Sequence, residues 1–404
     1  MAGDSARPLR SFDAAASRGR AGAAVGRLST DAVVSTVRDA GTSRTPLRIA
    51  GRSTWLDAGR PVRSERTLSL REDSGVVSYV PGDLTLTVRA GTTLAELDQI
   101  TGEHNQWLPL DPYGSSDGTI GATIATASAG PLASSFGLAR DLVLGLEFVN
   151  GRGEVIRGGG KVVKNVAGYD LSRLLTGSWG TLGVITEITL RLYARPQVDR
   201  SFIVRLTGRE RETTSFLHAF LTAPFNPYAF EVVNAPAAAA LGLENAPICL
   251  LRLGGNNPSV EAQVRAISQI ASLEEIDGSV WGKLRGLEVG SGCVIRVSGL
   301  PTSFRSASAT ILNDPQAFFT YINPRRGVLR LIAPPHGANR ADGETVLGLS
   351  PGERFSEGVT HEVLPMEIWA DISPTAIGDT LSQRIKRAYD PHNILNPGIL
   401  GDLS

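Results

Sequence analysis

The sequence predicts an α+β fold in two domains, and three observations carry that expectation. At 404 residues the chain is long for one hydrophobic core and sufficient for two. Between Ser29 and Ile100 apolar residues fall at helical spacing in some stretches and at strand spacing in others. Past Pro196 the texture changes, and strand-like runs separated by helical stretches read as a second α+β unit.

Element by element, residues 1–27 are Ala, Gly, Ser and Arg with almost nothing bulky, and they read as a mobile extension. No apolar core of secretory length follows the early arginines, although the composition is one that a transit peptide also shows. Ser29, Thr30 or Asp31 caps a helix with Val33, Val34, Val37 and Ala40 on its apolar face, and Gly41 stops it. Pro46–Ile49 is a short strand entering the loop Ala50–Thr54. Val76–Val80 and Thr85–Val88 are strands about the turn Pro81-Gly82-Asp83, and Thr92 caps a helix through Leu94, Leu97 and Ile100. Leu142–Val149 and Gly153–Arg157 flank the hairpin signal Asn150-Gly151, and Val184–Leu192 is a further strand. In the second unit, strands are expected at Phe202–Leu206, Ala229–Val233, Ile248–Leu253, Val294–Val297 and Val328–Ile332. Helices are expected near Thr213–Leu221, Val260–Leu273, Thr302–Leu312 and Ile377–Tyr389. The domain expectation is therefore 28–200, then 201–374, with 375–404 as a C-terminal segment.

Composition removes several functions. Lys plus Arg and Asp plus Glu are 40 each, and this balance argues against a protein that tracks nucleic-acid phosphates. No run approaches the length of apolar sequence a membrane helix needs, so no direct membrane insertion is expected. Cys249 and Cys293 have no partner at metal or cluster spacing, so no metal site is expected and a reducing, cytoplasmic setting fits. Only Lys161, Lys164, Lys283 and Lys386 are available for amine chemistry.

The 45 glycines suggest loops that bring backbone close to something. Ala50-Gly51-Arg52-Ser53-Thr54 follows a strand and reads either as a tight turn or as an anion-binding concavity for a pyrophosphate. It is neither a Walker loop nor a Rossmann fingerprint. Nearly every residue from Thr119 to Gly130 is small, and a third such loop spans Gly177–Gly183. Together, flanked by strands, the three favour a dinucleotide.

The order of these motifs, with Ser78–Leu97 and Lys164-Asn165-Val166-Ala167-Gly168-Tyr169-Asp170-Leu171, resembles the FAD-binding fold of the vanillyl-alcohol oxidase and p-cresol methylhydroxylase class. More narrowly the chain resembles the FAD-binding accessory subunit of bacterial glycolate oxidase, from about residue 28 to 196 with a further piece at the C-terminus. The resemblance implies a two-subdomain FAD-binding domain with a smaller, ferredoxin-like α+β cap over the flavin. It carries Gly51, Arg52, Ser53 and Thr54 onto the first pyrophosphate loop, and Thr119, Ile120, Gly121 and Ala122 onto the second. Ser128 and Gly130 continue that path, Phe136 and Gly137 run along the cofactor, and Val184 and Ile185 meet the adenine. Asn396 matches a terminal Asn-Pro-Gly that returns from the cap. Arg52 and Ser53 stand where the family's first loop has more glycine, and Ala122 replaces the second glycine of a Gly-Gly pair. With no His or Cys near Gly51 or between Asp111 and Gly145, the FAD is expected to be non-covalent.

Oxidation of a 2-hydroxy acid needs a base, an arginine for the carboxylate and a hydride path to the flavin. Catalytic relatives place histidines in a Gly-Asp-Gly-Asn-x-x-His stretch, which does not occur here. His104, His218, His336, His361 and His392 are scattered; His218 reads as a surface or core-edge residue, and His336 and His361 are the ones a flavin could meet. Arg296, Arg325, Arg326 and Arg330 read as surface charge on cap strands and turns. No catalytic residue is named. The resulting expectation is an accessory flavin subunit of a glycolate-type complex acting on a small 2-hydroxy acid. Its partners would be a homologous catalytic flavoprotein and an iron–sulfur subunit, through which it could also be held at a membrane. Two alternatives stay open: a stand-alone FAD-dependent oxidoreductase using the cap arginines and Tyr321, and a structural subunit that has lost FAD.

Overall fold

The computed structural model describes residues 29–160, 170–206, 209–304, 312, 319–333, 358–369, 372 and 377–401. The N-terminal extension, the Lys164–Tyr169 part of the family motif, most of the helix expected at Thr302–Leu312, and His336 lie outside the described residues.

Helix α1, Thr30–Ser43, begins where Ser29 accepts a hydrogen bond from the Ala32 amide at 3.2 Å. It buries Val33, Val37 and Ala40 and runs past Gly41 to Arg44, whose left-handed φ of 52° returns the Arg44 amide to the Ala40 carbonyl. The expected stop at Gly41 is thus displaced: one glycine costs a helix only about 1 kcal/mol, less than the burial of Val33, Val37 and Ala40 before it contributes. Strand β1, Leu47–Ala50, pairs in parallel with β2, Arg66–Ser69.

Five antiparallel strands make the first domain's main sheet. They are β3 (Val76–Val80), β4 (Thr85–Arg89), β6 (Val143–Val149), β7 (Val155–Gly159) and β8 (Val184–Arg191). Their order is β3-β4-β8-β6-β7. Helix α2, Leu94–Gly102, is capped one residue later than expected, by Thr93 with Glu96 in a capping box. The Thr92 hydroxyl instead accepts from the Gly75 amide at 2.9 Å. Short strands β5 (Gln106–Trp107) and β9 (Tyr193–Ala194) pair with each other. Most of the second small-residue stretch, expected as a loop, is helix α3, Ile120–Thr126, with Thr119 as its cap, and the single turn α4, Ala133–Phe136, comes after it. The core joins Val33, Val37, Leu86, Val88, Ile120, Ile124, Phe148 and Ile188 with Ile394 and Leu395 of the C-terminal segment. That segment is tied down by the buried Lys386, which donates to the Thr181 and Leu395 carbonyls at 2.8 and 3.2 Å and pairs with Asp390.

The cap is an eight-stranded antiparallel sheet. Its strands are β10 (Val198–Arg205), β11 (Ala229–Val233), β12 (Ile248–Gly255), β13 (Glu274–Ile276), β14 (Cys293–Ser298), β15 (Phe319–Asn323), β16 (Val328–Ala333) and β17 (Val359–Val363), in the order β13-β10-β12-β11-β15-β16-β14-β17. Alternation sends Phe202, Val204, Cys249, Leu251, Ile295 and Leu329 into a core with Leu217, Phe220, Val260 and Ile267 from two covering helices. Ile203, Leu250, Val294, Tyr321 and Ile332 face the other way, into a cluster that also takes Trp55, Tyr113 and Trp179 from the first domain. Both faces of the cap sheet are therefore covered, and polar residues on the second face lie between domains rather than in water. Among the described residues no helix is long and apolar enough to cross a membrane.

Candidate functional site

The loop after β1 leads away from the first domain's core toward the cap. Arg48 donates to the Leu56 carbonyl and closes this loop on itself. Further on, the Gly59 amide donates to the Glu362 carbonyl at 2.7 Å, and Ala58 bridges Val363, so the loop ends against β17. Ser53 holds a left-handed φ of 62°, a conformation that glycine adopts at no steric cost and that a serine strains to hold.

Beside this loop runs a cleft of about 870 Å³, counted out to its mouth. Gly51, Arg52, Ser53 and Thr54 form one wall, and Thr119, Gly121, Ala122 and Thr126 form the wall opposite. Trp179, Ile185 and Asn396 complete the lining. A second recess of about 380 Å³, lined by Pro112, Tyr113, Gly114 and Ser128, shares Thr54, Trp55, Thr119, Ala122 and Thr126 with the first, so the two form one groove.

The groove suits a dinucleotide by its donors. The residues lining the larger recess include two arginines, Arg48 and Arg52, and no carboxylate, while Ser53, Thr54, Thr119 and Thr126 add hydroxyls. A surface of one sign with small side chains lets a diphosphate approach the backbone. Ala122 is exposed on α3 with an ordinary helical backbone, so its methyl group is accommodated.

The other expected residues, and some of those in the lining, also serve the packing of the chain. Ile120 and Val184 are fully buried in the core beneath the groove. Phe136 packs edge-on against Trp107, Tyr193 and Tyr228 at centroid distances of 5.3, 5.3 and 4.8 Å. A side chain at Gly130 would run into the Asp111 carbonyl, one at Gly51 into Thr119, and one at Gly121 into Ala90. These glycines are required because the chain approaches itself. Asn396, at a left-handed φ of 44°, accepts from the Ile49 amide at 2.7 Å and donates to the Trp179 carbonyl at 2.7 Å, fastening β1 to the Gly177–Gly183 loop under the groove. Asn396→Ala is expected to lower stability by about 1–3 kcal/mol through the two orphaned groups. Asn396→Gly, which removes the same bonds without backbone strain, loses somewhat less. Urea midpoints of the two variants check this, and a loss below about 0.5 kcal/mol would show that water replaces both bonds.

The cap contributes a buried ionic network that sequence reading placed at the surface. Arg330, 3 % exposed, donates to Glu288 at 2.8 Å and to Glu362, and its guanidinium lies 4.2 Å over the Tyr113 ring. Arg296 pairs with Glu362 at 2.8 Å, and the Tyr321 hydroxyl donates to Glu288. Burial raises Glu288 above the usual carboxylate range despite Arg330. Burial opposes ionisation of Glu362 as well, but Arg330 and Arg296 together hold it below that range. Between the domains, Glu231 on β11 accepts from the Asn323 amide at 2.7 Å, and the same amide donates to Ser134 at 2.7 Å. Burial pushes Glu231 up to about 8 and Asp111, which accepts from the Leu132 amide, up to about 6. Tyr113, Trp55 and Trp179 border the groove and escaped sequence reading; a lone aromatic beside a glycine carries no periodic signal. His104 and His218 are exposed, and His361 lies on β17, lowered by burial and by the nearby Arg60.

The sequence profile of an FAD binding domain matches residues 23–159. The glycolate oxidase subunit GlcE of Escherichia coli is 35% identical over 258 residues, 63% of this chain and 68% of that protein. The glycolate oxidase subunit GlcD of Bacillus subtilis is 27% identical over 403 residues, 88% of this chain and 83% of that one. Among solved structures, p-cresol methylhydroxylase with substrate bound superposes with a TM-score of 0.66 over 93% of this chain and 87% of that chain, at 16% identity, a likeness of fold.

Proposed function

Because the chain belongs to the family of FAD-linked oxidoreductases that includes the glycolate oxidase subunits, we propose that it holds FAD in the groove between Gly51–Thr54 and Thr119–Thr126 and serves as the flavin subunit of a complex oxidising a small 2-hydroxy acid. When bound, the flavin supplies a two-electron, hydride-accepting centre. The protein's part is to hold the diphosphate with the hydroxyls and backbone amides of the two walls, to set those walls with Asn396, and to keep water from the Tyr113 end with the cap.

The observation that carries the accessory role is the state of the buried cap arginine. A substrate carboxylate needs a cation of its own, and Arg330 is already committed to Glu288 and Glu362 while Arg296 is committed to Glu362. The described residues lining the groove include no histidine to take the hydroxyl proton. A homologous flavoprotein then performs the oxidation. An iron–sulfur subunit takes the electrons, since Cys249 and Cys293 are free, buried core residues on separate strands of the cap. The FAD is held without a covalent bond.

The test is an anaerobic absorbance spectrum of the purified chain before and after glycolate or D-lactate. A flavin spectrum that stays oxidised is the expected result, with bleaching only on adding the partner chains. Bleaching of the chain by itself would make it a self-sufficient dehydrogenase. Absence of flavin after loading with FAD would make it a structural subunit.

A further inference from the structure

The charge of the groove is unbalanced. Two arginines line the larger recess with no carboxylate beside them, in a chain whose total charge is zero. They are not equivalent. Arg48 is spent on the Leu56 carbonyl, and Arg60, further along the loop, is spent on the Trp369 carbonyl at 2.9 Å and on the Ile372 carbonyl. Arg52 is partly buried in the wall and, among the described residues, has no hydrogen-bond or ion-pair partner. A guanidinium on a partly buried residue has five donors to place. Its neighbours on the wall are Ser53 and Thr54, and Thr119 faces them.

We infer that Arg52 is the cation that holds the cofactor's diphosphate, and that it makes FAD affinity in this chain dependent on salt. This rests on the FAD-binding reading and adds to it: relief of one uncompensated charge, rather than backbone amides alone, supplies a large share of the affinity. A charge-assisted contact of this kind in a partly dehydrated wall corresponds to roughly a 10-fold to 100-fold change in dissociation constant. Screening weakens it as salt rises.

The test follows binding, not turnover. Trp55 and Trp179 line the groove, so quenching of tryptophan fluorescence reports FAD binding to the apoprotein. The parent chain, Arg52→Gln and Arg52→Lys are titrated with FAD, and with riboflavin, which has no phosphate, between about 50 mM and about 500 mM salt. The expected result is an FAD dissociation constant that climbs with salt in the parent. In Arg52→Gln it is at least about 10-fold weaker at low salt and nearly flat with salt, and Arg52→Lys recovers most of the loss. Riboflavin binding should be alike in all three. Equal FAD affinity and equal salt slope in the parent and Arg52→Gln would overturn the inference and leave the FAD reading standing. A parent chain that takes up no FAD would bring down the FAD reading and this inference with it.

Discussion

Glu231→Gln is expected to be more stable than the parent chain at pH 8 and close to it near pH 5, by a difference of about 3–5 kcal/mol at the upper end. Glu231 is 1 % exposed on the cap face that meets the first domain, and burial pushes its carboxyl from 4.5 up to about 8. In the unfolded chain the same group loses its proton near its ordinary value. Between those two values the folded state therefore binds more protons than the unfolded state, and stability falls as pH rises through the window. Above about 8 the full cost is present. Asp111, pushed from 3.8 up to about 6 by burial against the pull of Arg285 and Arg252, acts with the same sign over a lower window.

The groups facing Glu231 set the size of the effect. Asn323 donates to it, Arg326 and Arg330 favour its charge, and Asp111 opposes it. A glutamine keeps the oxygen that Asn323 needs and removes the ionisation. Urea midpoints of parent and variant at several pH values between 5 and 9 are the measurement; this range spans the titration of a buried carboxyl in the expected place. Two parallel curves would mean that Glu231 is ionised in the folded protein throughout. Because Asn323 also holds Ser134 of the first domain, the loss at high pH should appear first as loosening of the α4 turn from the cap, readable as faster amide exchange at Ser134–Phe136.

Why Glu231 and Arg330 escaped sequence reading, when the strands that carry them did not, follows from the fold. Ala229–Val233 is predicted and observed with the same bounds, and Val328–Ile332 differs by one residue from β16. Alternation along β16 separates Leu329, Leu331 and Ala333 from Arg330 and Ile332, but period two assigns faces without saying what covers each one. A charged face of an antiparallel sheet is ordinarily the wet one, and here the first domain covers it. The partners of Arg330 lie 42 and 32 residues away in Glu288 and Glu362, on elements whose apposition only tertiary structure reveals. The groove was more legible. Gly51–Thr54 and Thr119–Ala122 are local sequences, the first a loop of small residues after a strand and the second the cap and first turn of α3. Even there the reason was partly different from the one the pattern suggested. Gly51, Gly121 and Gly130 are fixed by close contact with Thr119, Ala90 and Asp111, and the ligand-facing wall is built from the residues between them.

Arg330→Met is expected to lower stability by about 3–5 kcal/mol, the usual cost of removing one partner from a buried ion pair. The methionine fills much of the aliphatic volume, so the loss is mainly electrostatic. Among the described residues Glu288 keeps the Tyr321 hydroxyl and Glu362 keeps Arg296, while two carboxylates that shared one guanidinium now face each other. Glu288 then stays protonated to higher pH than in the parent, because its burial is unchanged and the Arg330 cation that opposed it is gone. Arg330→Met with Glu288→Gln removes the charge that was stranded and is expected to recover at least about half of the loss, since a buried pair often balances its own desolvation. This double variant separates two accounts of the arginine. If Arg330 serves the internal network, the single variant is unstable, the double variant is rescued, and flavin uptake by the double variant is near that of the parent. If Arg330 were instead kept for a substrate carboxylate, Glu288→Gln would rescue nothing, stability of the single variant would be near that of the parent, and the chain's own reduction by a 2-hydroxy acid would be lost. Urea midpoints of the four members of the cycle, with FAD uptake beside them, decide between the two, and the saturated geometry of Arg330 with Glu288 and Glu362 favours the first.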